Sequence, residues 1–301
     1  MARSIAPRHR FVILVSKNMR TVIQKHQAVS APIADLTTYR AIPTQSVEYI
    51  DPFLFLNHHG PQTYRANNRG LPFGPHPHRG FETVTFILEG DILHKDSSGH
   101  ESVIEAGGIQ WMTAGSGLIH AEVSSNQFKK TGGPLEILQL WVNLPAKFKM
   151  TEPRYIGLQA SEIPTAELTD GITVHAVSGD WVGTAGAVQP LADIALAWLD
   201  FTAGALIDLP IAARRNIFFY VVRGSVRVNG TEVFARELAE FDHDGEELAI
   251  EALTDSVLLL GHAEPFGEPV VSAGPFVMNT EGEIRQAYAD YQQGKFGQWK
   301  D

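Results

Sequence analysis

Two histidines separated by one residue begin a run of alternating apolar and polar side chains. The stretch is "GPHPHRGFETVTFILEGD", residues 74–91, and the imidazoles belong to His76 and His78. Side chains of a strand alternate between its faces, so both imidazoles share one face, and Glu82 has the same parity. Pro77 cannot donate to a sheet ladder, which places the pair at a strand start or edge. Imidazoles that converge on an inward face predict a metal site.

A second pair, His120 and Glu122 in "GSGLIHAEV", has the spacing that again puts both side chains on one face. Three neutral imidazoles and a carboxylate suit Fe, Mn, Ni, Cu or Zn, and an octahedral ion would keep two positions open for chemistry. The chain has no cysteine, so any metal must be held by histidine and carboxylate. The sequence leaves three roles open for Glu82: a metal ligand, a hydrogen-bond partner of a ligating histidine, or a residue on the solvent side of the strand.

The other histidines give weaker signals. His58 and His59, in "FLNHHGP", favour a structural or surface role. His262 and Glu264 copy the spacing of the second pair, but their half of the chain has no H-x-H partner, so we interpret the spacing as coincidence.

Charge and motifs exclude several classes of function. The net charge of −10 disfavours direct binding to nucleic acid and to anionic membranes. No apolar stretch reaches the roughly 18 residues of a membrane span. Neither a phosphate-binding glycine loop nor a G-x-S-x-G elbow is present. We therefore expect a cytoplasmic protein.

The elements that must position these residues are strands. Short extended runs such as "TVTFILEG" and "LEILQLWVNL" alternate with Gly and Pro turns, and an "NG" hairpin lies at Asn229 and Gly230. Aligning "FILEGDI" on "YVVRGSV" suggests an internal repeat in which Pro210 and Ala212 replace His76 and His78. The pattern predicts two antiparallel β sandwiches or barrels.

We divide the chain into an N-terminal extension over residues 1–21, whose order the sequence leaves open, a domain over residues 22–150 and a second domain over residues 151–301. Only the tail predicts a helix. Thr280 can cap it, Glu283 completes a capping box, and Gly294 can end it.

Four long stretches resemble the pirin family of the cupin superfamily. They are "HPHRGFETVTF", "QWMTAGSGLIHAE", "LQLWVNLPA" and "GEIRQAYADYQQGKFG". The resemblance runs from about Val22 to the C-terminus. It implies an all-β fold of two tandem cupin barrels with a short C-terminal helix, in which only the N-terminal barrel keeps a metal.

The resemblance also implies the ligand set. The family's metal ligands fall on His76, His78, His120 and Glu122, and its usual metal is Fe(II). The family's common "DHFGP" reads "NHHGP" here, with an asparagine and a histidine in place of an acid and an aromatic residue.

Two functions follow from the resemblance. One is a quercetin 2,3-dioxygenase, with a flavonol-like aromatic substrate and with Glu122 or Glu82 accepting the hydroxyl proton. We expect aromatic and apolar side chains to line its pocket or pack in the core: Phe73, Phe81, Phe86, Trp111 and Met112. The other function is a regulatory protein that binds a protein partner, such as a transcription factor or a metabolic enzyme, and uses the metal without catalysis.

Overall fold

The computed structural model describes residues 18–300, and β strands dominate it. In chain order the strands are β1 (Val22–Gln27), β2 (Val29–Ser30), β3 (Thr38–Ile42), β4 (Phe53–Tyr64), β5 (Phe73–His78), β6 (Phe81–Glu89), β7 (Asp91–Asp96), β8 (Glu101–Glu105), β9 (Ile109–Thr113), β10 (Leu118–Val123), β11 (Gly133–Asn143), β12 (Arg154–Leu158), β13 (Thr165–Thr169), β14 (Ile172–Ser178), β15 (Asp180–Trp181), β16 (Thr184–Ala185), β17 (Ile194–Phe201), β18 (Leu206–Pro210), β19 (Asn216–Arg223), β20 (Ser225–Val228), β21 (Thr231–Phe234), β22 (Glu237–Phe241), β23 (Glu247–Ala252), β24 (Ser256–Ala263), β25 (Val271–Ala273) and β26 (Phe276–Met278). The α-helices are α1 (Asn126–Thr131) and α2 (Glu281–Gln292), and single 3-10 turns lie at Ala146–Phe148 and Ala160–Glu162.

Two barrels of the same design account for most of these strands. The first barrel combines a seven-stranded sheet, in the order β12-β9-β6-β11-β4-β3-β2, with a four-stranded sheet, β5-β10-β7-β8. The second barrel has the sheets β1-β22-β19-β24-β17-β14-β13 and β18-β23-β20-β21. The strand orders match position by position, as the internal repeat predicts. The predicted fold class, two tandem cupin barrels with a short C-terminal helix, is confirmed.

The largest apolar clusters fill the contact between the barrels and the interior of each barrel. One cluster lies between the two seven-stranded sheets and joins Phe86 and Leu138 of the first barrel to Leu196 and Phe218 of the second. A second cluster fills the interior of the second barrel. A third, smaller cluster fills only part of the interior of the first barrel, around Ile137. The rest of that interior, which we call the lumen, carries polar side chains.

Three segments of the chain cross between the barrels. β1 pairs with β22 of the second barrel, although it precedes the first, and β12 pairs with β9 of the first barrel. Residues 271–296, which we call the C-terminal strap, return to the first barrel through β25, β26 and α2. The predicted division at residue 150 stays a prediction, and strand pairing crosses it.

The predicted extension over residues 1–21 falls partly outside the described residues, which begin at residue 18. Within it, Arg20 is buried and donates to the carbonyl oxygens of Ala212, Ala213, Arg215 and Gly245. These bonds satisfy a buried guanidinium that would otherwise be costly. The second barrel therefore holds the chain from Arg20 onward.

Local signals match the predicted turn and helix. Asn229 and Gly230 both have positive φ, at 48° and 86°, as a two-residue hairpin between β20 and β21 requires. The Thr280 side chain accepts from the Glu283 backbone amide and caps α2, and Gly294 lies just past its end with φ 75°. Of the helices within residues 18–300, none is long and apolar enough to cross a membrane.

Candidate metal centre

Two adjacent strands bring three histidines together in the first barrel. In the antiparallel pair of β5 and β10, His76 lies directly opposite His120, and His78 lies opposite Leu118. One ring nitrogen from each of His76, His78 and His120 lies within 4.8 Å of the others. His76 and His78 are two residues apart on β5, so their side chains point to the same face of the sheet. Antiparallel pairing with β10 places the His120 imidazole on that face beside them.

The two histidines of β5 use their Nδ1 atoms outside the cluster. His76 Nδ1 donates to the carbonyl oxygen of Gly74 at 2.7 Å, and His78 Nδ1 donates to that of Pro275 at 3.1 Å. A carbonyl can only accept, so each Nδ1 carries the proton and each Nε2 keeps its lone pair. His120 Nδ1, by contrast, is buried without a hydrogen-bond partner in the protein.

Burial keeps the imidazoles of His78 and His120 neutral. Desolvation, with the neighbouring His76, lowers the pKa of His78 to about 3. Desolvation and the neighbouring imidazoles also lower the pKa of His120 well below its usual value. Neutral imidazole is the form that binds a metal.

The spacing of the rings fits a shared ion. The Nε2 atoms of His76 and His120 are 3.0 Å apart. Two imidazole nitrogens bound at about 2.1 Å and at right angles around one ion would lie about 3.0 Å apart. The three histidines can therefore hold a metal ion.

Glu122 is buried near this cluster but is not a member of it. Its Oε1 accepts from the Thr85 hydroxyl at 3.1 Å, and its Oε2 accepts from the Gln139 amide. A register shift between His120 and Glu122 places Glu122 opposite Phe73 rather than at the regular position on β5. The predicted role of Glu122 as a ligand stays a prediction, with the carboxylate held two residues along the strand from His120.

Glu82 lies on a different face from the histidines, so the expectation of a shared face is wrong. The strand ends at His78, Gly80 turns with φ 89°, and β6 starts a new alternation at Phe81. Glu82 therefore follows Val84 and Phe86 toward the second barrel, whereas Thr85 points into the lumen.

The contacts of Glu82 agree with that placement. Its Oε1 accepts from the Thr113 hydroxyl at 2.6 Å, and its Oε2 is buried without a partner. Desolvation raises the pKa of Glu82 to about 7. Its predicted catalytic role stays a prediction, with the carboxyl on the face of β6 that packs toward the second barrel.

The aromatic surroundings differ in part from expectation. Phe81 lies beside His78, with ring centroids 5.0 Å apart, as a lining residue would. Phe86 and Trp111 instead pack between the barrels. Trp141, which carries no sequence signal beyond an apolar strand, lies 5.4 Å from His78 and 4.4 Å from Phe81 between ring centroids.

The two remaining aromatic or apolar candidates line other parts of the first barrel. Phe73 packs at 5.1 Å from the ring of His59, and Met112 packs with Leu118.

His94 is a residue that sequence reasoning missed. It lies opposite Glu122 on β7, its ring centroid is 5.5 Å from that of His120, and it stacks on Tyr155 at 4.0 Å. His94 Nε2 donates to Asp96 at 3.1 Å. Its even spacing from Asp96 on β7 is a signal, but nothing in the sequence shows that β7 pairs with β10.

The weaker histidine candidates have other partners. His58 is buried between the barrels, where it bonds Tyr220 and Glu136. His59 bonds Thr38 and faces Phe73. These contacts agree with structural roles.

His262 and Glu264, which repeat the spacing of His120 and Glu122 in the second half of the chain, do not form a metal cluster. His262 accepts from Arg215 in the second barrel, while Glu264 pairs with Arg214 at the surface. Across residues 18–300, the only group of three or more potential metal-ligating side chains is that of His76, His78 and His120.

Fold and site together define a two-barrel cupin protein. The pirin family model matches residues 35–142, and the model of the pirin C-terminal cupin domain matches residues 196–297. The chain therefore belongs to the pirin family.

Individual relatives support this assignment. The chain is 40% identical over 259 residues to a pirin-like protein of Caulobacter vibrioides, which covers 85% of this chain and 91% of the relative. A solved quercetin 2,3-dioxygenase from Acinetobacter baumannii is 33% identical, with a TM-score of 0.86 over 93% of this chain and 99% of that one. The bacterial pirin YhhW from Escherichia coli, solved in complex with nickel(II), shares the fold at 24% identity, with a TM-score of 0.64 over 80% of this chain and 99% of that one.

Proposed function

We propose that this protein is a cytoplasmic, metal-dependent dioxygenase of the quercetin 2,3-dioxygenase type, with Fe(II) in the first barrel and a flavonol as substrate. The observation that carries the proposal is the convergence of three imidazoles in the lumen beside a positioned carboxylate. Similarity to the Acinetobacter baumannii quercetin 2,3-dioxygenase supports the substrate class.

His76, His78 and His120 would hold the metal through Nε2, with Glu122 as the fourth ligand. A bound Fe(II) would supply a Lewis acid for the 3-hydroxyl oxygen of the flavonol and a partner for electron exchange with dioxygen. Insertion of both atoms of dioxygen and loss of one ring carbon as carbon monoxide balance the overall reaction.

The protein's own contribution to proton transfer centres on Glu122. Thr85 and Gln139 each donate to one of its oxygens and fix the plane of the carboxylate. Each carboxylate oxygen keeps a further lone pair, so Glu122 can accept the 3-hydroxyl proton while both hydrogen bonds stay in place.

A stack of aromatic rings forms one wall of the lumen. The ring of Trp141 lies between those of Phe81 and Phe55, at centroid distances of 4.4 and 4.5 Å. Flat apolar faces exclude water and match a planar ring system. We expect the flavonol to bind against this wall, with its hydroxyl toward the histidines.

The test is anaerobic reconstitution with Fe(II), followed by quercetin and air, while flavonol absorbance and carbon monoxide are measured. Stoichiometric carbon monoxide that disappears in His76→Ala supports the dioxygenase. Glu122→Gln should keep the three imidazoles and lose about 10²- to 10⁴-fold in turnover. Bound Fe(II) without turnover would contradict the enzyme and favour the regulatory alternative.

A further inference from the structure

The C-terminal strap reaches the metal centre from the far end of the chain. Phe276 forms a bridge with Arg79, and the Val277 amide donates to the Arg79 carbonyl oxygen at 3.1 Å. One residue earlier, the Pro275 carbonyl oxygen accepts from His78 Nδ1 at 3.1 Å. The strap thus runs along the end of β5 where His78 is placed.

The cluster histidines differ in what orients them. His76 bonds a carbonyl of its own strand, two residues away, while the acceptor for His78 lies 197 residues away in sequence. A hydrogen bond from the second ring nitrogen fixes the tautomer and orientation of a ligating histidine. Only the strap provides that bond for His78.

We propose that the C-terminal strap positions His78 for metal binding, and that Asp290 of α2 is the positioning residue that anchors it. The proposal rests on the metal site of the proposed function but assigns a role to a segment outside the first barrel.

The anchor is a buried ion pair. Arg79 Nη1 donates to Asp290 Oδ2 at 2.9 Å, and both side chains are at most one-tenth exposed. Arg79 also donates from Nε to the Ser116 carbonyl at 2.8 Å and lies 4.7 Å from the centre of the Phe296 ring. Because Arg79 directly follows His78, the ion pair ties α2 to the residue next to the proposed ligand.

Asp290 is well placed to hold this anchor. Lys295 and Gln286 donate to its other oxygen, at 2.7 and 2.8 Å. Hydrogen bonds from Lys295, Arg79 and Gln286 together lower the pKa of Asp290. Truncating one partner of a buried charge pair leaves the other uncompensated, so loss of this carboxylate should release the strap.

A second contact sets how close the strap can come. A Cβ at Gly80 would lie 2.0 Å from the Val277 carbonyl oxygen, so only glycine permits the approach. Lys149 Nζ donates to the carbonyl oxygens of Gly80 and Val277, at 2.8 and 3.1 Å. This side of the strap explains the glycine in "HPHRG" and is independent of Asp290.

The experiment compares full-length wild type with Asp290→Asn and with Glu281→Gln, a matched amide substitution at an exposed position on the same helix. Affinity for Ni(II) is measured by competition with a chromophoric chelator. Long-range ¹H–¹⁵N spectra of the metal-free protein report the protected Nδ1–H of His78, assigned with His78→Gln. We expect Asp290→Asn to lose about 10-fold in Ni(II) affinity and to lose the protected Nδ1–H signal.

Two further variants address folding. Asp290→Glu keeps the charge and should recover most of the Ni(II) affinity. Phe296→Leu removes the ring over Arg79 but keeps an apolar side chain, and it should weaken Ni(II) binding several-fold. This variant replaces Asp290→Asn in the experiment if Asp290→Asn does not fold.

The outcomes separate the two proposals. Unchanged Ni(II) affinity and an unchanged His78 signal in Asp290→Asn would overturn the strap proposal. If wild type binds no Ni(II) but the His78 signal still depends on Asp290, the positioning by the strap stands and the metal site fails. Equal losses in Glu281→Gln would also overturn the proposal, because the effect would then not belong to the anchor.

Discussion

In the first barrel His76 on β5 faces His120 on β10, whereas in the second barrel Pro210 on β18, which the internal repeat aligns with His76, faces Glu247 on β23. The two strand pairs occupy equivalent places in equivalent sheets. The second barrel is filled by aliphatic and aromatic side chains. The first barrel gives the same space to imidazoles, amides and a carboxylate.

The difference extends to hydrogen bonding. Buried side-chain atoms without a partner in the protein occur in the first barrel, among them atoms of Gln110, His120 and Trp141, while the described strands of the second barrel have none. An unpaired buried polar group costs about 1–3 kcal/mol. One scaffold is thus used twice, once around an apolar interior and once around an interior that carries buried polar side chains.

The sharpest test of this comparison removes one imidazole from each barrel. His120→Ala deletes a proposed ligand and should lower metal affinity by more than about 100-fold. His262→Ala, in the second barrel, should leave metal content unchanged. Metal per chain after dialysis measures both, and metal retained by His120→Ala would refute the ligand assignment.

Truncation in the filled barrel tests its role as the stable half. Leu248 is fully buried in the second barrel, so Leu248→Ala should lower the free energy of unfolding by about 2–5 kcal/mol. Leu206→Ala, at a side chain that is 57% exposed, is the control. Urea unfolding followed by fluorescence gives both values, and a loss below about 1 kcal/mol would mean that the second core is loosely packed.

The contact between the barrels should be sensitive to pH through Glu82. Burial raises the pKa of Glu82 in the folded protein to about 7, from the usual 4.5. The contribution of this raised pKa to the free energy of unfolding is therefore complete below pH 4.5 and is lost as the pH rises through 7. Glu82→Gln should therefore stabilise the protein relative to wild type at pH 8, by up to about 3 kcal/mol, and change little at pH 4.5. Urea unfolding at both pH values, with Glu152→Gln as the exposed control, measures this. If the free energies of unfolding of Glu82→Gln and wild type differ by the same amount at both pH values, folding does not raise the pKa of Glu82.

The smallest expected effect compares two glutamines of the first barrel. Both amide atoms of Gln110 are buried without a partner, whereas Gln139 donates to Glu122. Gln110→Leu should raise the free energy of unfolding by about 1–2 kcal/mol, and Gln139→Leu should lower it by a similar amount. If Gln110→Leu destabilises the protein instead, Gln110 takes part in a polar network inside the lumen.

Short-range patterns predicted much of this molecule. Strand parity placed His76 and His78 on one face, and composition indicated two β domains. The same parity failed for Glu82, because Gly80 interrupts the strand and restarts the alternation. His94 and Trp141 reach the histidines only through strand pairing, which is a long-range property that no local spacing records.

The strap shows the same limit most clearly, since the bond from His78 to Pro275 joins residues 197 positions apart. That separation also orders events during synthesis on the ribosome. His76, His78 and His120 emerge well before Pro275, whose carbonyl oxygen accepts from His78. If the strap positions His78 as proposed, the first barrel would be synthesised before that imidazole is fixed, and its full metal affinity would follow only once the strap has been made.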